Sequence, residues 1–524
     1  MKREIATLAL ALTGTFWIGS AVAQDAPLVI GFGASITSMD PHYHNLSTNN
    51  NIAQQIFDTL VKQDETQKLI PGLAESWRAI DDTTWEFKLR QGVKFHDGSD
   101  FDAADVIATV KRAPNVPNSP SSFRLYVGGI KDIQVVDPLT IRMVTDKPTP
   151  LLPNDIASIF IISDSEVGAS TADFNSGKAA IGTGPYRLTS YVPGEKVALT
   201  RFDGYWGGKE PWTSVTFRIM TNNASRVAAL RAGDVAMIDN VPTADLETIK
   251  KDKGLSVVSA VSNRIIYLAL DHAHDISPFL TDKQGKPLDK NPLKDVRVRR
   301  AMSLAINRDG IAQRVMAGQA IPAGQLLPDG FFGTSTNLKA DKLDVEGAKK
   351  LLAEAGYPNG FAVTLHGPND RYINDERVLQ TVAQNLSRIG IDAKVDAMPW
   401  ATFSGRATKQ EFSVFLVGWG AGTGETSSPL RSLLASFNKD KSMGASNRGR
   451  YSNAELDAVI EQAVVTIDDA KRGELLARAS EIAMQDLGVI PLHYEVSSWA
   501  MKKGLTYKGR ADQYTMAQGV RPVR

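Results

Sequence analysis

The sequence contains no cysteine. That excludes disulfide scaffolds, thiolate metal cages and cysteine nucleophiles. It also excludes a lipid attached through an N-terminal cysteine, since there is none to carry it. Neither sign of charge dominates: 59 Lys and Arg stand against 58 Asp and Glu, a formal net charge of +1. The strongly basic balance of a nucleic-acid binder is therefore missing. Past the N-terminal segment, no apolar run reaches the roughly 20 residues of a membrane-spanning helix. Low-complexity tracts and long charge runs are also absent. Among enzyme signatures, no G-x-S-x-G elbow, H-E-x-x-H helix or G-x-x-x-x-G-K-[ST] loop occurs.

What remains is a long, ordinary globular composition. With 524 residues, 43% hydrophobic and 22% charged, the chain is large enough for several domains and an extensive core. Its first residues follow an export pattern. Lys2 and Arg3 give a positive start, Ile5 to Ile18 is apolar but too short to span a bilayer, and Ala21-Val22-Ala23 is a small-x-small site. The pattern predicts a signal peptide over residues 1–23, cleaved between Ala23 and Gln24. With no cysteine to lipidate, the mature protein is expected to be freely soluble in the periplasm.

The stretch from Ile70 to Val110 organises the chain. Ile70-Pro71-Gly72-Leu73 reads as a turn into a short amphipathic piece ending at Trp77. Trp85, Phe87 and Leu89 alternate with Glu86, Lys88 and Arg90, the period of a half-buried strand. Asp97-Gly98 is a hairpin-type turn, and Asp102 opens a helix carrying Val106, Ile107 and Val110. As local chemistry the stretch is bland. Three further stretches go with it: Gly182-Thr183-Gly184-Pro185-Tyr186 followed by Tyr205-Trp206-Gly207-Gly208; Asp295-Val296-Arg297 leading to Ala305-Ile306-Asn307-Arg308; and Asp344 to Pro358. In kind and order these four resemble the family 5 extracellular solute-binding proteins, the peptide, nickel and oligosaccharide receptors of ATP-driven importers. The resemblance covers nearly the whole mature chain.

Elsewhere the periodicities are mixed. Leu28–Phe32 is a strand, Ile36 to Asn51 a polar loop, and Ile52 to Leu60 a helix. Strands are expected at Ile133–Val136, Thr140–Val144, Val197–Thr200, Val215–Met220 and Ile265–Leu270. From Leu293 onward helices and strands alternate, with a buried strand at Phe412–Val417, as in an α/β lobe.

The resemblance implies an α/β fold of the type II periplasmic binding protein kind: two lobes with an extra inserted domain, the class C (cluster C) architecture. The expected division is a signal peptide over 1–23, the first lobe over 24–63 and 182–272, and an inserted domain over 64–181. The second lobe follows over 273–499, and residues 500–524 return to the first lobe. The implied function is the periplasmic substrate-binding component of an ABC importer. It would capture a peptide or peptide-like solute between its lobes and pass it to the permease and its ATPase. The alternatives are an opine-like conjugate, an oligosaccharide or chelated nickel as the solute, or else an exported hydrolase or a periplasmic chaperone. No catalytic residue, cofactor, metal or nucleic acid is expected, and the protein is taken as a monomer.

Candidate ligand contacts follow from residue type beside the resemblance. Tyr43 and His44 lie in the polar loop that faces the cleft in the family. His42 and His44 form an H-x-H pair with no third ligand nearby, so a metal is disfavoured. Arg124 and Tyr126 follow a breaker-rich loop. Arg371 suits a ligand carboxylate through its planar fork, against the reading of a solvated arginine at a helix start. Trp400 and Phe403 are cleft or core. Gly418, Gly420, Gly422 and Gly424 surround Trp419 and Thr423 with a spacing other than that of a dinucleotide loop. The resemblance places this loop at the cleft, with Trp419 as an aromatic wall. Gly422 stands where peptide-binding members carry an amine-pairing aspartate, and Glu425 is the nearest carboxylate.

Overall fold

A computed structural model describes residues 26–523. The expected signal peptide and its Ala23/Gln24 junction lie outside the described residues. One large sheet runs through the molecule. Its first-lobe half contains Ala26–Phe32, parallel to Trp212–Ile219, with Lys196–Arg201 and Tyr186–Val192 continuing antiparallel. Its second-lobe half contains Val414–Gly420, Ala362–Pro368 and Asp392–Met398. Two long strands join the halves, Leu255–Leu270 and Val489–Lys502, paired antiparallel with each other.

The crossing is visible within these strands. Their register shifts between Val261 and Ile265. Beyond the shift, Ile266, Leu268 and Leu270 point into one core of the second lobe, while Ile265, Tyr267 and Ala269 point into another on the opposite face. Alternation along a strand buried on both faces produces this split. Trp499 and Met501, by contrast, pack with Leu28, Ile30 and Phe217 in the first-lobe core. The first long strand thus reaches from one core to another: Val258 and Ala260 pack on the core of Leu28 and Ile30, and Ile265 to Leu270 on the other two. Tyr507, Ala517 and Val520 also pack in the core with Leu28 and Ile30.

The inserted segment has its own four-stranded sheet, built from Ala74–Asp81, Thr84–Leu89, Thr140–Thr145 and Ile130–Asp137. Phe87, Leu89, Val106, Ile141 and Met143 fill its core. Ile162, Phe174, Ala179 and Ala180 already belong to the first-lobe core, so the end of the expected inserted segment packs outside that domain. The helix Ala103–Arg112 opens on Asp102 with a reciprocal cap between Asp102 and Asp105.

Two local expectations are corrected. Leu69–Pro71 and Ala74–Asp81 are strands, where a turn and a short amphipathic piece ending at Trp77 are expected; pairing with neighbouring strands draws the chain straight through both. The first helix spans Ser47–Ile56 and not Ile52 to Leu60. It stops because Phe57 turns extended and the Ile56 carbonyl accepts from the Gly184 N–H at 2.9 Å.

Candidate functional site

The first two of the four stretches that carry the resemblance fold into a joint between inserted domain and first lobe, while the other two pack in a core of the second lobe. Nδ1 of His96 accepts from the Gly182 N–H at 3.2 Å, so Nε2 carries the proton and donates to the Gly184 carbonyl at 3.0 Å. Burial depresses this imidazole to about 4, keeping it neutral. A Cβ at Gly182 or Gly184 would strike the Ile56 carbonyl oxygen at 2.1 or 2.6 Å, which explains both glycines. Asp58 gathers the rest. It accepts from Trp206 Nε1 at 2.7 Å and from Thr183 Oγ1 at 3.1 Å, and pairs with Lys62 at 2.5 Å. Burial works against the Lys62 ammonium, but the Asp58 charge beside it wins and its pKa is raised. These residues tie the inserted domain to the first lobe.

A cavity of about 170 Å³ lies where all parts of the chain meet. The first lobe contributes Asn45, Asn50 and Gln63, the inserted domain Gln67 and Tyr126, the crossing strand Asn263 and Arg264. The second lobe contributes Gly420 and Gly422, and the returning tail Asp512 and Tyr514. Its walls are mostly uncharged hydrogen-bonding groups, with Arg264 as a cation. Tyr126 accepts from Asn45 Nδ2 at 3.3 Å, and burial raises its phenol pKa. Asp512 is held by Arg510 at 2.5 Å.

The glycine-rich loop closes one end. Its carbonyls are gripped from the opposite side by side-chain amides. Gln63 Nε2 donates to Gly422 O at 3.2 Å, Gln67 Nε2 to Ala421 O at 3.3 Å and Gly422 O at 3.1 Å, and Asn154 Nδ2 to Thr423 O at 2.9 Å. Gln67 is buried, and its Oε1 accepts from Asn263 Nδ2 at 2.9 Å, so the whole amide is used. Gly424 has φ +72°, and a Cβ there would meet Gln67 Cβ at 2.9 Å and Gln67 O at 3.0 Å. The loop is glycine-rich here because another backbone comes close. Gln67 was not legible as a site residue: it sits in an ordinary polar turn, at φ +65°, and nothing in the sequence marks its partner.

On the second lobe, Arg371, Tyr372 and Trp400 cluster. The Arg371 guanidinium is 5.5 Å from each ring centroid, and the rings are edge-on at 6.1 Å. Among the described residues this guanidinium makes no hydrogen bond or ion pair. Partial desolvation, then the like charge of Arg264, lower its pKa. Tyr372 OH donates to the Gly418 carbonyl at 3.2 Å. A Cβ at Gly418 would strike Tyr372 Cε1 at 2.9 Å, and one at Gly420 would meet Arg264 Nη2 at 3.1 Å. The two glycines thus face the Tyr372–Arg264 side of the strand.

Trp419, between them, faces the other way. It lies in the strand Val414–Gly420, and its half-buried ring packs on the core holding Phe415 and Val417. Its Nε1 is buried and meets no hydrogen-bond partner among the described residues. Trp419 is thus carried on a strand and not on the expected loop, and strand alternation puts the glycines and the ring on opposite faces. Glu425 is buried, paired with Arg472 at 2.5 Å, and accepts from the Ser427 hydroxyl. Burial raises its pKa against the pull of Arg472. Its oxygens are taken up inside its own lobe. Thr423 presents its carbonyl to Asn154, while its hydroxyl is buried without a partner.

The remaining candidates are dispersed. His44 is half-buried, with Nδ1 3.0 Å from Thr37 Oγ1, and burial lowers its pKa. The Tyr43 carbonyl accepts from Ser119 Oγ at 2.6 Å. His42 is fully internal, against the Phe160 carbonyl at 2.8 Å and Arg112 at 3.1 Å, so it does not share a face with His44 as a metal pair. Arg124 is exposed and donates to Asn115 Oδ1 at 3.1 Å, away from the cavity. Phe403 is core, stacked with Phe412 at 5.5 Å.

Comparison with known proteins gives a consistent picture. The family model described as "Bacterial extracellular solute-binding proteins, family 5 Middle" matches residues 68–441. The glutathione-binding protein GsiB of Escherichia coli (strain K12) is 31% identical over 486 residues, 91% of each chain. Among solved structures, HbpA2 from Haemophilus parasuis superposes with a TM-score of 0.80 at 25% identity, covering 95% of this chain and 100% of that one. The periplasmic binding protein DppA from Helicobacter pylori, in complex with the peptide STSA, gives 0.76 at 25% identity, covering 95% and 98%.

Proposed function

The chain belongs to family 5 of the bacterial extracellular solute-binding proteins, and from that premise we propose that it captures a short peptide or peptide-like solute for import. Proteins of this family are substrate-binding components of ABC transporters rather than enzymes. The observation that carries the reading is the cavity at the lobe junction, lined from both lobes, the inserted domain and the crossing strand. A ligand held there touches every moving part, so its binding energy favours the closed arrangement. The two crossing strands act as the hinge, the motion for which periplasmic binding proteins are a standard example. The closed face then docks on the permease, and the ATPase drives transport.

Within the cleft, Tyr126 and the Arg371–Tyr372–Trp400 cluster supply the side-chain contacts, and Gly420 and Gly422 supply backbone. The names of relatives support a peptide-like ligand: GsiB is named for glutathione, and DppA was solved with a peptide. A second reading, an acidic non-peptide conjugate, is favoured by Glu425. With that carboxylate taken by Arg472, the glycine loop offers no free acid for a peptide amine. We further propose that the mature protein begins at Gln24 and is soluble in the periplasm. N-terminal sequencing of periplasmic material checks this, and a chain retaining Lys2 and Arg3 refutes it.

Calorimetric titration of the mature protein with two- to five-residue peptides, glutathione among them, tests the receptor reading. One-to-one saturable binding with intact peptide recovered is expected. Cleavage of the peptides, or weak binding to all of them without saturation, overturns it in favour of a hydrolase or a chaperone.

A further inference from the structure

A second cavity, of about 760 Å³, backs onto the first. Among the described residues Gln67 alone lines both, so the buried amide that grips the glycine-rich loop is also the partition between them. Gly420 and Gly422 line the smaller cavity, Thr423 and Gly424 the larger. We propose that the larger cavity is a binding site separate from the cleft, and that it takes an uncharged, flat aromatic solute carrying a hydrogen-bond acceptor. The walls argue for the aromatic body. Trp77 and Leu69 come from the inserted segment, Val261 from the first crossing strand, and Phe331 and Phe332 from the chain after the Asp329-Gly330 turn. All five are half-buried. Large apolar side chains left half-covered around one hollow of ligand size are the usual lining of a small-molecule site. Both aromatic walls are fixed in advance. Trp77 stands in the strand Ala74–Asp81, opposite Phe87 of its neighbour. The Phe332 carbonyl accepts from the Thr426 N–H at 3.1 Å, and the Arg472 guanidinium lies 4.4 Å from the Phe332 ring centroid.

The charges argue for an uncharged ligand. Four carboxylates line the cavity, and each already has a cation. Glu65 pairs with Lys508, Asp329 with Lys339 at 2.9 Å, and Glu425 and Asp469 both with Arg472, at 2.5 and 2.6 Å. The other lining cation, Lys68, stands beside Asp64 of its own turn, whose carboxylate accepts the Lys68 N–H at 3.0 Å. A charged ligand would give up its water for walls whose charges are already matched. Donors, by contrast, are left over. The Thr423 hydroxyl is buried and meets no partner among the described residues, and the Trp77 indole N–H makes no hydrogen bond among them. A carbonyl oxygen on the ligand suits such groups. Lys68, Asp329 and Asp469 are exposed, so the cavity has a mouth to solvent.

Equilibrium dialysis of the full mature protein against methyl 2-naphthyl ketone tests the site, with 2-naphthoate and 2-naphthylmethylammonium as charged counterparts of the probe. The ketone is expected to bind one-to-one, roughly fivefold or more tightly than either charged probe. Trp77→Ala and Phe331→Ala should each weaken it roughly tenfold, and Phe331→Ala serves if Trp77→Ala fails to fold. Tyr126→Ala, in the smaller cavity, should leave ketone binding as in the parent. No saturable binding by the parent overturns the second site, and so do wall variants that bind like the parent. A loss in Tyr126→Ala that the wall variants do not share places the ketone in the cleft and overturns it too. Charged probes that bind as tightly as the ketone overturn the ligand class. The receptor reading stands in each case, because the peptide titration tests it separately.

Discussion

Replacing Gly424 by alanine separates a strained loop from a broken lobe contact. At φ +72°, an L side chain costs about 1–2 kcal/mol wherever that backbone persists. That part weighs on the loop itself, whatever the lobes do. The new methyl also meets Gln67 Cβ at 2.9 Å and Gln67 O at 3.0 Å, atoms across the lobe junction. Relief requires the loop to back away from Gln67, which stretches the amide contacts from Gln63, Gln67 and Asn154. Each neutral bond contributes about 0.5–1.5 kcal/mol, so losing two removes about 1–3 kcal/mol from the closed form alone. The apparent dissociation constant scales inversely with the competent fraction, so the ligand should bind roughly fivefold to 150-fold more weakly. Gly422→Ala is the control: its backbone lies outside the positive-φ region and its methyl meets nothing within 4 Å. Calorimetry gives the affinities, and small-angle scattering with and without ligand reports closure. If Gly424→Ala and Gly422→Ala both bind and close like the parent, the amide grip on the loop has no part in closure.

Three further outcomes are expected. Burial is the largest cause holding His42, His96, His272 and His366 down to about 4 and His493 to about 3, against an ordinary 6.5. The unfolded chain therefore binds more protons below about 6.5, and stability should fall as pH drops from about 6.5 towards 4; urea melts that stay flat over that window contradict this. Arg472→Met should cost ~3–5 kcal/mol by stranding the buried Glu425 carboxylate, and adding Glu425→Leu should recover much of it; a single variant as stable as the parent would show that the pair is not buried in solution. Trp419→Ala should cost about 2–3 kcal/mol of folding stability, below the ~3–5 of a fully buried ring, with ligand affinity nearly unchanged; a large loss of affinity at constant melting temperature would return the ring to the ligand wall.

The sequence by itself determined the family, the α/β character and the strand and helix positions whose periodicity is strong. Thr84–Leu89, Trp212–Ile219, Val296–Ala305 and Asp375–Ser387 lie close to where alternation or helical spacing puts them. These signals are local, because burial on one face imposes a period on neighbouring residues. Lobe boundaries were less legible. Leu255–Leu270 is one continuous strand whose first half is mostly half-buried and whose last six residues are buried, so no break in secondary structure marks the change of core. The site was legible only in part. Arg371 could be picked by its chemistry, but Gln67 and Gln513 could not, because their roles depend on contacts between segments hundreds of residues apart. Trp419 shows the limit most clearly. The glycines on either side suggest an uncovered ring, yet which face of the strand looks toward Tyr372 and Arg264, and which toward the core, is fixed only when the strand is paired and packed.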